Sequence, residues 1–305
     1  MGFGHGKLIL LGEHGVVYGR PAIAAALPRG AEALAKVAEK PRLEVEPWGV
    51  AFDADAEQPD PRSEMLRQAF RALLAAYPKP PPLCVHARIA LPGSAGLGGS
   101  AALSVAIVRA IDEVLGIERG PGEVAEVALA AERVFHGNPS GVDTALASSG
   151  GVAVYRKGSP LEPVKLGRKL TLVVGDSGEP GSTAETVASV GRQHARNPQK
   201  LEQIFDGMEA LVNNGRSALV AGELWRLGQL MVLNQKLLST LMLSTSRLEE
   251  MCEVAENAGA LGAKLTGGGG GGCMIALCEH VAQAERVQAA LAELSAKSFV
   301  AEVGP

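Results

Sequence analysis

The 305-residue sequence predicts an α+β fold in two domains, 1–165 and 166–305. Three observations carry that expectation. Apolar runs of strand length stand near the start, the middle and the end of the chain. Stretches with helical spacing are grouped between those runs. The composition also shifts across Gly158–Lys169, "GSPLEPVKLGRK", just before a new apolar run. No internal repeat is present.

The elements follow in order. "KLILLG" (Lys7–Gly12) is a short apolar run and predicts a strand. "AIAAAL" (Ala22–Leu27) is a second, of ambiguous type. "GAEALAKVAEK" (Gly30–Lys40) has helix-forming composition, yet it is short and runs into "RLEVE", which alternates like a strand; pattern alone leaves that pair open. Pro61–Pro78 predicts a helix, because Met65, Leu66, Ala69, Phe70, Leu73 and Leu74 share a face between bracketing prolines. "LCVHARIAL" (Leu83–Leu91) alternates as a strand. It leads into the loop "LPGSAGLGGSAAL" and a helix over Ser100–Leu115, stopped by Gly116. A further helix spans Pro121–Phe135, and His136–Gly151 opens with a turn and has room for a short helix. Leu170–Asp176 is a strand, and roughly Thr183 to Ala258 is mostly helical. "AKLTGGGGGGCMIALCEH" reads as strand, glycine loop, strand. A helix over Val281–Leu294 and a strand over Lys297–Glu302 close the chain.

Composition excludes several classes of function. Hydrophobic residues make up 47% and charged residues 20%, so a packed core is expected and disorder is not. The net charge of −4, with no basic block, argues against nucleic acid and anionic membrane as partners. Cys84, Cys252, Cys273 and Cys278 form no C-x-x-C pair, and no histidine sits nearby at zinc spacing. They are expected to be small apolar residues in a reducing compartment. The first apolar run is too short for a signal peptide, and no stretch approaches a membrane span, so a cytoplasmic protein is expected.

Chemistry concentrates in a few stretches. In the glycine loop, Gly93, Ser94, Gly96, Gly98 and Gly99 precede Ser100 at a helix start. Free backbone N–H groups and the positive end of a helix dipole then point one way, which suits an anion. Ser100 can cap the helix or offer its hydroxyl to a metal ion; a tight turn with a serine cap is the plainer alternative. The nucleotide-binding pattern G-x-x-x-x-G-K-[ST] does not occur. Gly267–Gly272 matches G-x-G-x-x-G only as any glycine run does, and it opens into a strand, so a close-packing role is expected there. Glu13 and His14 follow the first strand directly. Glu132 lies on a helix, and Asp143 follows the turn Asn138–Gly141, where it can simply cap the next helix.

Taken together, these stretches resemble the GHMP small-molecule kinase superfamily. "HGKLILLGEHGVVYGRPAIAAAL" is similar to its first motif, "LPGSAGLGGSAAL" to its phosphate loop and "KLTGGGGGGCMIAL" to its third motif. "GEHGVVYG" and "ERVFHGNPSGVD" are similar to its mevalonate kinase branch. Galactokinases would show an acidic-aromatic pair after "GEH", where Gly15 and Val16 stand here. The resemblance runs from Lys7 to Leu277.

It implies a ribosomal protein S5 domain 2-like N-terminal domain with a left-handed crossover, a ferredoxin-like C-terminal domain and an active site between them. It implies ATP-dependent phosphorylation of the primary hydroxyl of (R)-mevalonate to 5-phosphomevalonate, on the mevalonate route to isoprenoids. By the same resemblance Asp143 is the base, and Lys7 holds it ionised and neutralises charge on the phosphoryl group. Pro92, Gly93, Ser94, Ala95, Gly96, Leu97, Gly98, Gly99, Ser100 and Ala101 bind ATP. Ser100 and Glu132 hold Mg2+, and Glu13, His14, Ser140 and Thr183 join Lys7 and Asp143 around the substrate, with Ser182 a rival to Thr183. Homodimers occur in the family. The chain departs from the pattern at Gly4–Gly6, where Ala-Pro-Gly is usual, at Gly99, where serine is common, and at Gly268, where alanine is common. None of these changes removes a group assigned to chemistry. The alternatives are a kinase of the same superfamily acting on another alcohol and a non-catalytic ligand sensor.

Overall fold

The computed structural model describes residues 1–56, 60–93, 96–137, 139 and 141–304. In chain order the elements are β1 (Gly2–Leu11), a 3-10 turn (Gly15–Tyr18), β2 (Ala22–Val37), β3 (Arg42–Glu46), β4 (Val50–Asp53), α1 (Pro61–Leu74), β5 (Leu83–Ile89), α2 (Gly99–Leu115), α3 (Pro121–His136) and α4 (Val142–Ser149). There follow β6 (Val152–Tyr155), β7 (Glu162–Pro163), β8 (Leu170–Asp176), α5 (Thr183–Arg196), α6 (Pro198–Ala221), α7 (Leu224–Thr240), α8 (Ser246–Asn257), β9 (Gly262–Thr266), β10 (Cys273–Cys278), α9 (Val281–Ala290) and β11 (Lys297–Val303).

These elements form two compact units that exchange segments. The first holds Met1–Lys7, Arg29–Leu91 and Gly98–Gly150; the second holds Leu8–Pro28, Pro92–Leu97 and Gly151–Pro305. In the first, the second half of β2 pairs antiparallel with β5, β3 runs parallel to β5, and β4 closes the edge against β3. The open stretch Gly30–Lys40 therefore lies mostly in a strand: Ala31 and Ala33 are buried while Glu32, Leu34 and Lys36 are exposed. Pairing with β5 overrides the helical preference of that composition. Helix α1 starts where the Asp60 carboxylate accepts from the Arg62 and Ser63 N–H groups, with Pro61 at its first position. Helices α1, α2 and α4 pack on α3, and α2 covers β5.

In the second unit, β2 begins as the partner of β6, and β7 pairs with β6. A separate antiparallel sheet runs in the order β11-β8-β10-β9. Its central strands, β8 and β10, are nearly continuous apolar runs, which suits burial. Val173, Phe205, Met208, Leu238, Met251, Leu265 and Met274 lie in its core. The long helical stretch of the sequence resolves into α5–α8, each ended by a cap or a turn. All four cysteines are free and buried. Among the described residues, no helix is long and apolar enough to cross a membrane.

Candidate active site

The first unit gathers seven of the expected residues: Lys7, Gly98, Gly99, Ser100, Ala101, Glu132 and Asp143. Gly98, in the left-handed region at φ 72°, is the N-cap of α2. Ser100 thus sits at the second helical position and does not cap; no side chain caps this end among the described residues. The backbone N–H groups of Gly99, Ser100 and Ala101 open the helix, and the first turn closes with Ala102 N–H donating to the Gly98 carbonyl at 3.0 Å. A Cβ on Gly98 would come within 2.8 Å of Lys7 Cγ, so glycine lets the loop close down on the lysine stem.

Lys7, on β1, directs its ammonium to Asp143 at 3.5 Å from Oδ1. Asp143 stands in the first turn of α4. Glu132, on the buried face of α3, has one oxygen, Oε1, buried with no hydrogen-bond partner. Its other oxygen lies 3.6 Å from His136 Nε2, and that nitrogen is 3.4 Å from the Ser100 hydroxyl. Burial pushes the Glu132 carboxyl up to about 7; the Ser100 hydroxyl and Lys7 pull it down, and Asp143 adds to the rise. A carboxylate, a hydroxyl and a neighbouring carboxylate form an all-oxygen donor set, and an orphaned buried oxygen is what a hard divalent cation would satisfy.

The second unit assembles another cluster at the end of β1. Glu13 is fully buried and ion-paired with the equally buried Lys264, whose ammonium also donates to the Leu265 carbonyl. Asn234 completes the group: its amide nitrogen donates to Glu13 Oε2 at 3.1 Å, and its oxygen accepts from Gly12 N–H at 3.2 Å. This clamp braces a strained turn, since His14 carries φ 58°. The His14 ring is buried, which holds its pKa below the usual value. Its Nε2 lies 2.8 Å from the Gly268 carbonyl oxygen. A carbonyl can only accept, so Nε2 carries the hydrogen. Nδ1 is then a buried acceptor with no partner.

Thr183 abuts the same glycine. A Cβ on Gly268 would stand 2.6 Å from Thr183 Oγ1, which accounts for glycine at this position. Ser182 is the N-cap of α5, its hydroxyl accepting from Glu185 N–H at 3.3 Å. Of the other expected residues, Pro92, Gly93, Gly96 and Leu97 belong to the second unit, while Ser94, Ala95 and Ser140 lie outside the described residues. Three residues of these clusters escaped the sequence reading: Lys264, Asn234 and His136. A signal existed for Lys264, because a lysine inside the apolar strand "GAKLT" must find a buried partner.

Comparisons with known proteins agree with the motifs. Residues 64–151 match the model for the GHMP kinases N terminal domain, and residues 216–297 match that for GHMP kinases C terminal. The mevalonate kinase of Thermococcus sibiricus is 36% identical over 290 residues, covering 89% of this chain and 86% of the relative. That of Aeropyrum pernix is 32% identical over 305 residues, covering 98% and 94%. A crystal structure of L. major mevalonate kinase in complex with R-mevalonate matches with a TM-score of 0.88 at 30% identity, over 99% of this chain and 95% of that one. The Methanococcus jannaschii mevalonate kinase shares the fold, with a TM-score of 0.86 at 23% identity, over 99% and 98%. The chain belongs to the GHMP kinase family, in its mevalonate kinase branch.

Proposed function

We propose that this enzyme transfers the γ-phosphoryl group of ATP to the primary hydroxyl of (R)-mevalonate, giving 5-phosphomevalonate and ADP. The observation that carries the reading is the Lys7–Asp143 ion pair standing beside buried Glu132 and the N-terminus of α2. Asp143 accepts the hydroxyl proton as the oxygen attacks. Lys7, 3.5 Å away, supplies positive charge to the moving phosphoryl group. Backbone N–H groups at the start of α2 hold phosphate oxygens, in place of the lysine that other phosphate loops carry. Such a transfer depends on positioning and charge stabilisation, which this small set of groups provides. Glu132 and Ser100 would hold a magnesium ion, which when bound neutralises charge on the triphosphate. In the second unit, His14 Nδ1 accepts a hydrogen bond from a substrate hydroxyl, Thr183 lies beside it against Gly268, and Glu13 fixes the turn that carries His14. The same reading keeps 1–165 and 166–305 as the N- and C-terminal domains, with one matched family segment falling in each. It places the enzyme in the cytoplasm.

The test is ADP release with ATP and magnesium across mevalonate, phosphomevalonate, galactose and homoserine. Turnover with mevalonate alone is expected. Turnover on another alcohol without mevalonate would overturn the substrate assignment, and silence on all four with ATP still bound would overturn the enzyme assignment.

A further inference from the structure

On the face of the β3–β5 sheet opposite the helices, three side chains with ligating atoms converge. Cys84 and His86 are two residues apart on β5, so the period of the strand puts both on one face, about 6.6 Å apart at Cα. Glu44 on β3 is in register with His86. Its Oε2 lies 2.9 Å from His86 Nδ1, and the sulfur, imidazole and carboxylate atoms of the trio all fall within 4.8 Å of one another. A Cys-x-His pair is not a zinc-finger spacing on a loop, but on a strand with a cross-strand carboxylate it forms a three-point ligand set.

The surroundings support that arrangement. Arg42 donates through Nε to the other Glu44 oxygen at 2.8 Å and through Nη1 to Asp53 Oδ1 at 3.1 Å. The carboxylate is thereby oriented with Oε2 toward the imidazole, as outer partners orient metal-ligating carboxylates. Lys36 and Arg42 are the residues in register with Cys84 on its two neighbouring strands. Cys84 is buried and His86 half exposed, which gives the trio a closed base and an open mouth.

We propose that Cys84, His86 and Glu44 form a second metal site, separate from the phosphoryl-transfer residues, for a zinc-class divalent ion. One thiolate, one imidazole and one carboxylate suit such an ion, with water in the fourth position. Binding releases the Cys84 thiol proton to solvent, and the neutral imidazole moves its single ring hydrogen from Nδ1 to Nε2 by exchange with solvent, which frees the Nδ1 lone pair for the ion. The ion would tie β3 to β5, a structural role that leaves the transfer chemistry alone.

Cobalt(II) alone is the probe, added to the full chain after chelator treatment. One equivalent is expected to produce a near-ultraviolet thiolate-to-cobalt absorption band that added zinc displaces. Cys84→Ser should abolish the band, and His86→Ala and Glu44→Gln should each weaken binding by about 10-fold or more. Glu132→Gln should leave the band intact, because the phosphoryl-transfer residues include no thiol. Kinase turnover of Cys84→Ser should match the wild type, which also shows that this variant folds. No band at a large excess of cobalt, or a band that survives Cys84→Ser, would overturn the proposal.

Discussion

Glu132 is the residue most at odds with its surroundings. Burial raises its carboxyl to about 7, and one oxygen has no partner. A carboxyl whose folded pKa lies above the unfolded one favours folding while protonated; the benefit is complete below the unfolded value and is lost as pH rises through about 7. In chelator, Glu132→Gln should therefore be more stable than the wild type by about 2–3 kcal/mol near pH 8, with no gain near pH 4.5. Urea unfolding at the two pH values checks this, and a gain independent of pH would contradict it. Lys264 is the reverse case, an ion satisfied in full. Lys264→Met leaves Glu13 buried without its cation and should cost about 3–5 kcal/mol, whereas adding Glu13→Gln should recover most of the loss. Chemical denaturation of the single and double variants measures both.

At the scale of elements, the N-terminus of α2 carries the account. Gly98→Ala would force an alanine into φ 72° and press its Cβ on the Lys7 stem. The expected cost is about 1–3 kcal/mol of stability, with a lower kcat from the displaced Lys7. Melting curves and steady-state kinetics report the two effects, and unchanged kinetics would separate the loop from Lys7. This loop and its helix are legible in the sequence, because the glycine run and Gly116 mark both ends. Helix α1 is legible for the same kind of reason, with Pro61 at its start. Strand β2 is not, because its Ala, Glu and Lys residues favour a helix and pairing with β5 decides otherwise. Strand β6 has four residues, too few for a period to show. The Glu13–Lys264 pair joins residues 251 positions apart, and no local pattern can register such a contact. Asp143 stands in the first turn of α4, where spacing alone favoured a plain capping role, and the resemblance singled it out. The sequence showed the alternation of "LCVHARIAL" but not Cys84 and His86 as a ligand pair, because the third member, Glu44, enters only through strand register.

At the scale of the molecule, the two units borrow segments from each other's stretch of chain. Leu8–Pro28 folds with Gly151–Pro305, so the residues after 165 depend on the turn that follows β1 for Glu13. A fragment of residues 166–305 would bury Lys264 without its partner. It should show no cooperative thermal transition, while the full chain does. Calorimetry on both decides it, and a cooperative fragment would contradict the exchange of segments.

Lys7 and Asp143 carry phosphoryl transfer to mevalonate in the proposed reaction. The direct measurement is kcat on (R)-mevalonate for the wild type, Asp143→Asn and Lys7→Met, with ATP affinity by calorimetry alongside. The expected result is a loss of about 10²-fold or more in kcat for Asp143→Asn and a large loss for Lys7→Met, with Asp143→Asn still binding ATP. Full turnover in Asp143→Asn would contradict it.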